Sequence, residues 1–293
     1  MTASHGVTLA IIGGSGLYQI DGFEAVSSHR IETPWGRPSD DIVEGQLEGI
    51  KVLFLPRHGR GHHIAPSDIN YRANIAALKM LGATDLVSLS ACGSFREEMA
   101  PGHFVLVDQF IDRTKSRPSS FFGSGLVAHV SMAHPVCAGL TGRVRDAAEE
   151  DGLTVHARGT YLAIEGPQFS SLAESQLYRS WGCDVIGMTA MPEARLAREA
   201  ELPYALVGMV TDYDCWHAEE EAVSVTNVLE VLSGNAEKAR HLVKTLATRL
   251  AGPRHPSPDG IETVLDYALV TADDKRDPAM VEKCRVIARR VLG

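Results

Sequence analysis

Apolar residues gather in short runs along this chain, with glycines, hydroxyls and charged residues between them. Residues 7–12 form one run and lead into Gly13-Gly14-Ser15-Gly16. Residues 52–55 form a second, closed by Pro56, and residues 85–89 a third, leading into Ser90-Ala91-Cys92-Gly93-Ser94. Residues 104–107 and 204–210 follow the same pattern. Each run has the length of one buried strand. Helical spacing lies between them: at 71–81 with Gly82 as the stop, at 140–150, at 171–180, and at 192–200, where Pro192 suits the first helical position. Strands alternating with helices predict an α/β fold with a largely parallel or mixed sheet.

The clearest interruption is 252–260, dense in proline and glycine. Beyond it the chain ends in a basic amphipathic helix over 278–292. Some forty residues are too few for an independent core. The expected division is a main domain over 1–250 and a segment over 251–293, packed on that domain or on a neighbouring subunit.

Composition narrows the function classes. The 293 residues carry a formal charge of −9, without the basic footprint of a nucleic-acid binder. Five scattered cysteines, with no CxxC, argue against a disulfide framework and against structural zinc, and fit a reducing cytoplasmic setting. The first residues lack the basic start and apolar core of a signal peptide. No apolar run approaches the roughly 20 residues of a membrane span.

The chemistry gathers where strands are expected to end, which is where open α/β sheets bind ligands. Thr211-Asp212-Tyr213-Asp214-Cys215-Trp216 follows the 204–210 run, and acids at i and i+2 face one side of an extended chain. A solvated turn is the plain alternative. The glycines of 13–16 let backbone N–H groups approach an anion, with Ser15 as an added donor, or make a tight turn; the spacing is neither GxGxxG nor a Walker loop. Arg57 and His58 suit phosphate, the Arg as a planar fork; a mobile surface loop is the alternative, and the His58/His62 spacing lacks the helix and the carboxylate a metal site would want. Cys92 reads as a small buried thiol, since no base is set beside it. Ser171 reads as a helix cap completed by Glu174. Phe169 is a candidate for stacking on a flat ring or a core residue, and Thr189 is another hydroxyl donor. Together the strand ends fit a phosphate at one end of a site and a nitrogenous ring at the other.

The ordered motifs IIGGSGL at 11–17, RHGRGH at 57–62, NYRANI at 70–75, ACGSFREE at 91–98, DQFIDRT at 108–114, EGPQFSS at 165–171, MTAMPEA at 188–194 and TDYDCW at 211–216 resemble the 5′-methylthioadenosine phosphorylases of the trimeric purine nucleoside phosphorylase superfamily. The resemblance implies a single α/β domain with a central mixed β-sheet flanked by helices. It implies phosphate contacts from Ser15, Arg57, His58, Ser90, Ala91 and Thr189. Met188 would lie against the ribose, Phe169 and Ser170 would line the purine pocket, and Asp212 and Asp214 would hold the purine. Val225 matches a position facing the methylthio group, and His129 one that reaches into a neighbouring subunit's site of a homotrimer. The chain departs from the family with Ser15 and Ser90 in place of threonines, Gly187 in place of Asn and Gln168 in place of Arg, and residues 251–293 match it least.

The implied reaction is phosphorolysis of methylthioadenosine to adenine and 5-methylthioribose 1-phosphate, with inorganic phosphate as co-substrate and neither cofactor nor metal. The leaving base needs a proton on its imidazole ring, for which Asp212 is the candidate general acid. Asp214 would accept from the 6-amino group, which favours adenine over oxo purines. An oxo-purine phosphorylase, a purine-binding module without catalysis and a hydrolytic nucleosidase are the competing expectations.

Overall fold

The computed structural model describes residues 6–14, 20–217 and 225–293, with 225–230 as backbone only. Its first strand, β1 (Thr8–Gly13), is buried on both faces because its side chains alternate between two cores. Ala10 and Ile12 enter one, Leu9 and Ile11 the other. On one side β1 pairs in parallel with β4 (Ile50–Pro56), beyond which lie β3 (Ile42–Leu47) and β2 (Glu24–His29), both antiparallel. On the other side it pairs in parallel with β5 (Asp85–Ser94).

At β5 the sheet divides. Residues 86–92 of β5 run parallel to β11 (Tyr204–Asp212), while Gly93 and Ser94 turn to pair antiparallel with β10 (Val185–Gly187). β11 continues to β6 (Phe104–Val107) and from there to β8 (Val155–His156). β10 continues to β9 (Thr160–Ala163) and β7 (Gln109–Asp112). The sheet is therefore mixed, and its divergence at the end of β5 opens a place between β10 and β11.

Helices cover both faces. α1 (Tyr71–Met80), α4 (Ala190–Glu199) and α6 (Pro278–Leu292) contribute Ile75, Leu196 and Ile287 to one core. α2 (Ala138–Glu150) and α5 (Val225–Leu250) contribute Val144 and Leu246 to the other. α3 (Leu172–Ser180) stands at the divided end, started by Ser171 and Glu174 in a reciprocal capping box. Residues 251–293 pack on the body of the same chain. Arg254 Nε donates to Asp85 Oδ2 at 2.8 Å, the Leu265 N–H to Glu201 Oε1 at 3.0 Å, and Ala128 forms a β-bridge with Leu269.

Candidate active site

Arg57, Ser90 and Thr189 are held near the N-terminus of α4. Arg57 follows β4, where its N–H bonds the Gly13 carbonyl at 3.0 Å. Its guanidinium, 3% exposed, does not stand open as a bidentate fork. Nε and Nη2 donate to Glu193 at 3.0 and 3.3 Å, Nη2 also to the Ser88 hydroxyl, and Nη1 to the Leu89 carbonyl at 3.2 Å. By count one N–H on Nη1 remains among the described contacts. Tyr204 donates its hydroxyl to Glu193 at 3.0 Å, so this buried acid is held from two sides. Glu193, Ser88 and Tyr204 carried no functional signal in the sequence; an acid in the first turn of a helix reads as a dipole partner.

The Ser90 and Thr189 hydroxyls lie 3.3 Å apart, both buried, one on β5 and the other just before α4. Ala91 is the next residue of β5, so the stretch expected as a loop after a strand is itself strand. His58 Nδ1 bonds the Ile64 carbonyl at 2.9 Å, and its ring stacks on His62 with centroids 4.1 Å apart. A carbonyl only accepts, so Nδ1 carries the proton. Burial pushes the His58 pKa down to about 4, leaving the ring neutral near pH 7.

The acids meet at the C-terminal end of β5. β11 is bulged between Val210 and Asp212, which is paired with Gly93. Asp212 is the last strand residue, and Asp214 stands in a turn at φ +32° rather than in extended chain. The expected i, i+2 facing of an extended strand therefore does not apply. The pair meets through the turn instead, with the Asp214 N–H donating to Asp212 Oδ1 at 3.0 Å. The Thr211 hydroxyl donates to Asp212 Oδ2 at 2.7 Å. Asp214 is 7% exposed and bonded to the Ser175 hydroxyl; burial holds its carboxyl above the ordinary range, with that bond opposing. Gly93 leaves room for them: a Cβ there would lie 2.8 Å from Asp212 Oδ1 and 3.4 Å from the Asp214 Cβ.

The loop before α3 closes on these acids. Cys215 Sγ contacts the Ser170 carbonyl at 3.4 Å, and the buried Ser170 hydroxyl has no hydrogen-bond partner among the described residues. Phe169 is half-exposed beside it. Met188 lies against Gly166, where a Cβ would stand 2.5 Å from the Met188 sulfur. Arg117, buried, ties the two loops: Nη2 donates to the Glu165 carbonyl at 2.8 Å and Nη1 to the Met188 and Met191 carbonyls, the latter at 2.7 Å. An Arg in a loop gave no sequence sign of this role.

His129 is exposed, its N–H bonding the Ala268 carbonyl at 2.9 Å. Ser15 and the Val225 side chain lie outside the described residues. Cys92 is buried, and burial raises its thiol pKa far from any nucleophilic range.

The chain and its fold have counterparts among known proteins. A model of the phosphorylase superfamily matches residues 8–248. An S-methyl-5′-thioadenosine phosphorylase of Cereibacter sphaeroides is 59% identical over 284 residues, 97% of this chain and 98% of the relative. One of Rhodospirillum rubrum is 56% identical over 285 residues, 97% of each. Among solved structures, a methylthioadenosine phosphorylase from an Antarctic soil metagenomic library superposes with a TM-score of 0.91 at 46% identity, covering 96% of this chain and 99% of that one. The methylthioadenosine phosphorylase of Schistosoma mansoni in complex with adenine gives 0.85 at 37%, covering 90% and 99%.

Proposed function

The chain belongs to the phosphorylase superfamily, and within it to the S-methyl-5′-thioadenosine phosphorylases; from that premise we propose how its residues divide the work. The reaction is phosphorolysis of S-methyl-5′-thioadenosine to adenine and 5-methylthioribose 1-phosphate. The observation that supports the division of labour is the arrangement along β5. Donors for an anion, from Arg57, Ser90, the Ala91 backbone and Thr189, gather at one part of the strand. Two acids flank Gly93 at its end. Three residues at about 3.3 Å each separate Ser90 from Gly93, roughly 10 Å along the strand, which a ribose between phosphate and purine fills.

Phosphate held at the first cluster attacks the anomeric carbon as the bond to the purine breaks. Its negative charge also stabilises the cation-like sugar. Arg57 contributes charge and its remaining N–H, while Glu193 fixes the guanidinium plane. Ser15 adds a hydroxyl from the glycine loop. His58, neutral with its proton on Nδ1, offers an Nε2 lone pair to a protonated phosphate oxygen. Met188 covers the ribose. Ser170, with an unanswered buried hydroxyl, and Phe169 line the purine pocket, and Val225 faces the methylthio group.

The leaving adenine takes the electron pair of the broken bond and needs a proton on its imidazole nitrogen. Asp212 is assigned as that acid, with Asp214 accepting from the 6-amino group. One observation favours exchanging the two roles: Asp214 is the carboxyl whose pKa burial raises. In this second reading the resting proton is on Asp214.

The displacement uses phosphate as co-substrate and needs no electron carrier. Among the described residues no helix is long and apolar enough to cross a membrane; a cytoplasmic location is part of the proposal. A homotrimer is proposed, with His129 reaching a neighbour's site. Exposed Phe169, Leu172, Leu177 and Trp181, on and beside α3, supply apolar surface for self-association. Base release from methylthioadenosine and methylthioinosine, each with and without phosphate, tests the function. Phosphate-dependent release of adenine, faster than release of hypoxanthine, is expected; equal rates on the two nucleosides would contradict the purine assignment.

A further inference from the structure

We propose that Tyr161 is a positioning residue for the phosphate subsite, its hydroxyl donating to Ser90 so that Ser90 and Thr189 both turn their protons to the anion. The proposal rests on the phosphate roles of Ser90 and Thr189 given above.

Tyr161 stands on β9 and is fully buried. Its hydroxyl oxygen lies 3.4 Å from Ser90 Oγ, which lies 3.3 Å from Thr189 Oγ1. These form a row of three hydroxyls with one proton each. Without phosphate, one proton is held between Ser90 and Thr189 whichever of them donates, and Ser90 also reaches the Ala91 carbonyl at 3.2 Å. When an anion arrives, both aliphatic hydroxyls are needed as donors, and the lone pairs of Ser90 then lack a partner. Tyr161 is the group in the row that can supply one. A hydroxyl that accepts while it donates is a stronger donor, because hydrogen bonds in a chain polarise one another.

The phenol keeps its proton for this purpose. Burial pushes the Tyr161 pKa up to about 12. The hydroxyl reaches the row because residue 187 is glycine. A Cβ at Gly187 would lie 1.9 Å from the Tyr161 oxygen and 2.6 Å from its Cζ, so the phenol fills the space a side chain would take. A residue that only filled the core would do so equally as phenylalanine, without a polar group to satisfy.

The test compares wild type, Tyr161→Phe, Ser90→Ala and the double variant, all as full chains. Tyr161→Phe is expected to raise KM for phosphate about fivefold, the scale of one neutral hydrogen bond. KM for methylthioadenosine and Tm should stay close to wild type. In the Ser90→Ala background the same change should add less than twofold, since no serine hydroxyl remains to be polarised. A phosphate KM within twofold of wild type would overturn the proposal. So would a parallel rise in both KM values with a lower Tm, or an undiminished effect in the Ser90→Ala background. Wild type releasing adenine without phosphate would overturn the phosphate reading itself, and this inference with it.

Discussion

The guanidinium of Arg57 and the carboxylate of Glu193 form a two-point ion pair inside the protein, Nε to Oε2 at 3.0 Å and Nη2 to Oε1 at 3.3 Å, both side chains at most 3% exposed. Removing one partner of such a pair leaves a buried charge uncompensated, at about 3–5 kcal/mol. Glu193→Ala is therefore expected to lower Tm by on the order of 10 °C. Glu193→Gln keeps the shape and should raise KM for phosphate more than KM for the nucleoside, because Arg57 loses its fixed plane. Thermal melts and two-substrate kinetics check both.

Asp212→Asn is predicted to slow adenine release on the order of 100-fold or more and to narrow the preference for methylthioadenosine over methylthioinosine. If the resting proton is on Asp214, Asp214→Asn slows release more than Asp212→Asn does. Asp214 also sets a sign for stability. Its folded pKa is raised above the ordinary 3.8, so its contribution is fully present below 3.8 and is lost as pH rises through the folded value. Asp214→Asn should therefore melt higher than wild type at pH 7–8, by a margin that vanishes toward pH 3.8. Melts across that range decide it.

Ser170→Ala separates binding from folding. The Ser170 hydroxyl is buried without a partner among the described residues, so its loss should leave Tm unchanged or slightly higher. If the hydroxyl serves the purine, KM for methylthioadenosine rises several-fold, the scale of one hydrogen bond. KM for phosphate should stay as it is.

His58 predicts an acid weakness. Its folded pKa lies near 4, below the ordinary 6.5. Its contribution to stability is thus fully present above 6.5 and is lost as pH falls toward 4. His58→Asn should flatten the fall of Tm over that window while weakening phosphate binding. An unchanged pH profile of Tm would count against a buried, neutral His58.

The central parallel strands were legible because they are buried on both faces: continuous apolar runs such as those in β1 and β11 have few other readings. β2 was not, since Glu24–His29 is largely exposed and lacks alternation. β8 has two residues, and β9 four within a polar surrounding. β5 ran five residues past its expected end because Ser90–Ser94, poor in strand formers, are held by β11 on one side and β10 at the tip. Of the site, the residues with distinctive chemistry stood out: Arg57, Ser90, Thr189 and the two acids. Their partners did not. Glu193, Ser175, Arg117 and Tyr161 act through contacts 39 to 136 residues apart in sequence, and only the folded chain brings those contacts together. The i, i+2 rule does not describe how the two acids meet, because the turn at Asp214 brings them together and not strand geometry.

The account turns on phosphate as the nucleophile. The most direct measurement follows the products of methylthioadenosine by phosphorus NMR and base chromatography, with and without inorganic phosphate. The account predicts adenine and 5-methylthioribose 1-phosphate in equal amounts, and no adenine when phosphate is withheld. Adenine and free methylthioribose formed at the same rate without phosphate would contradict it.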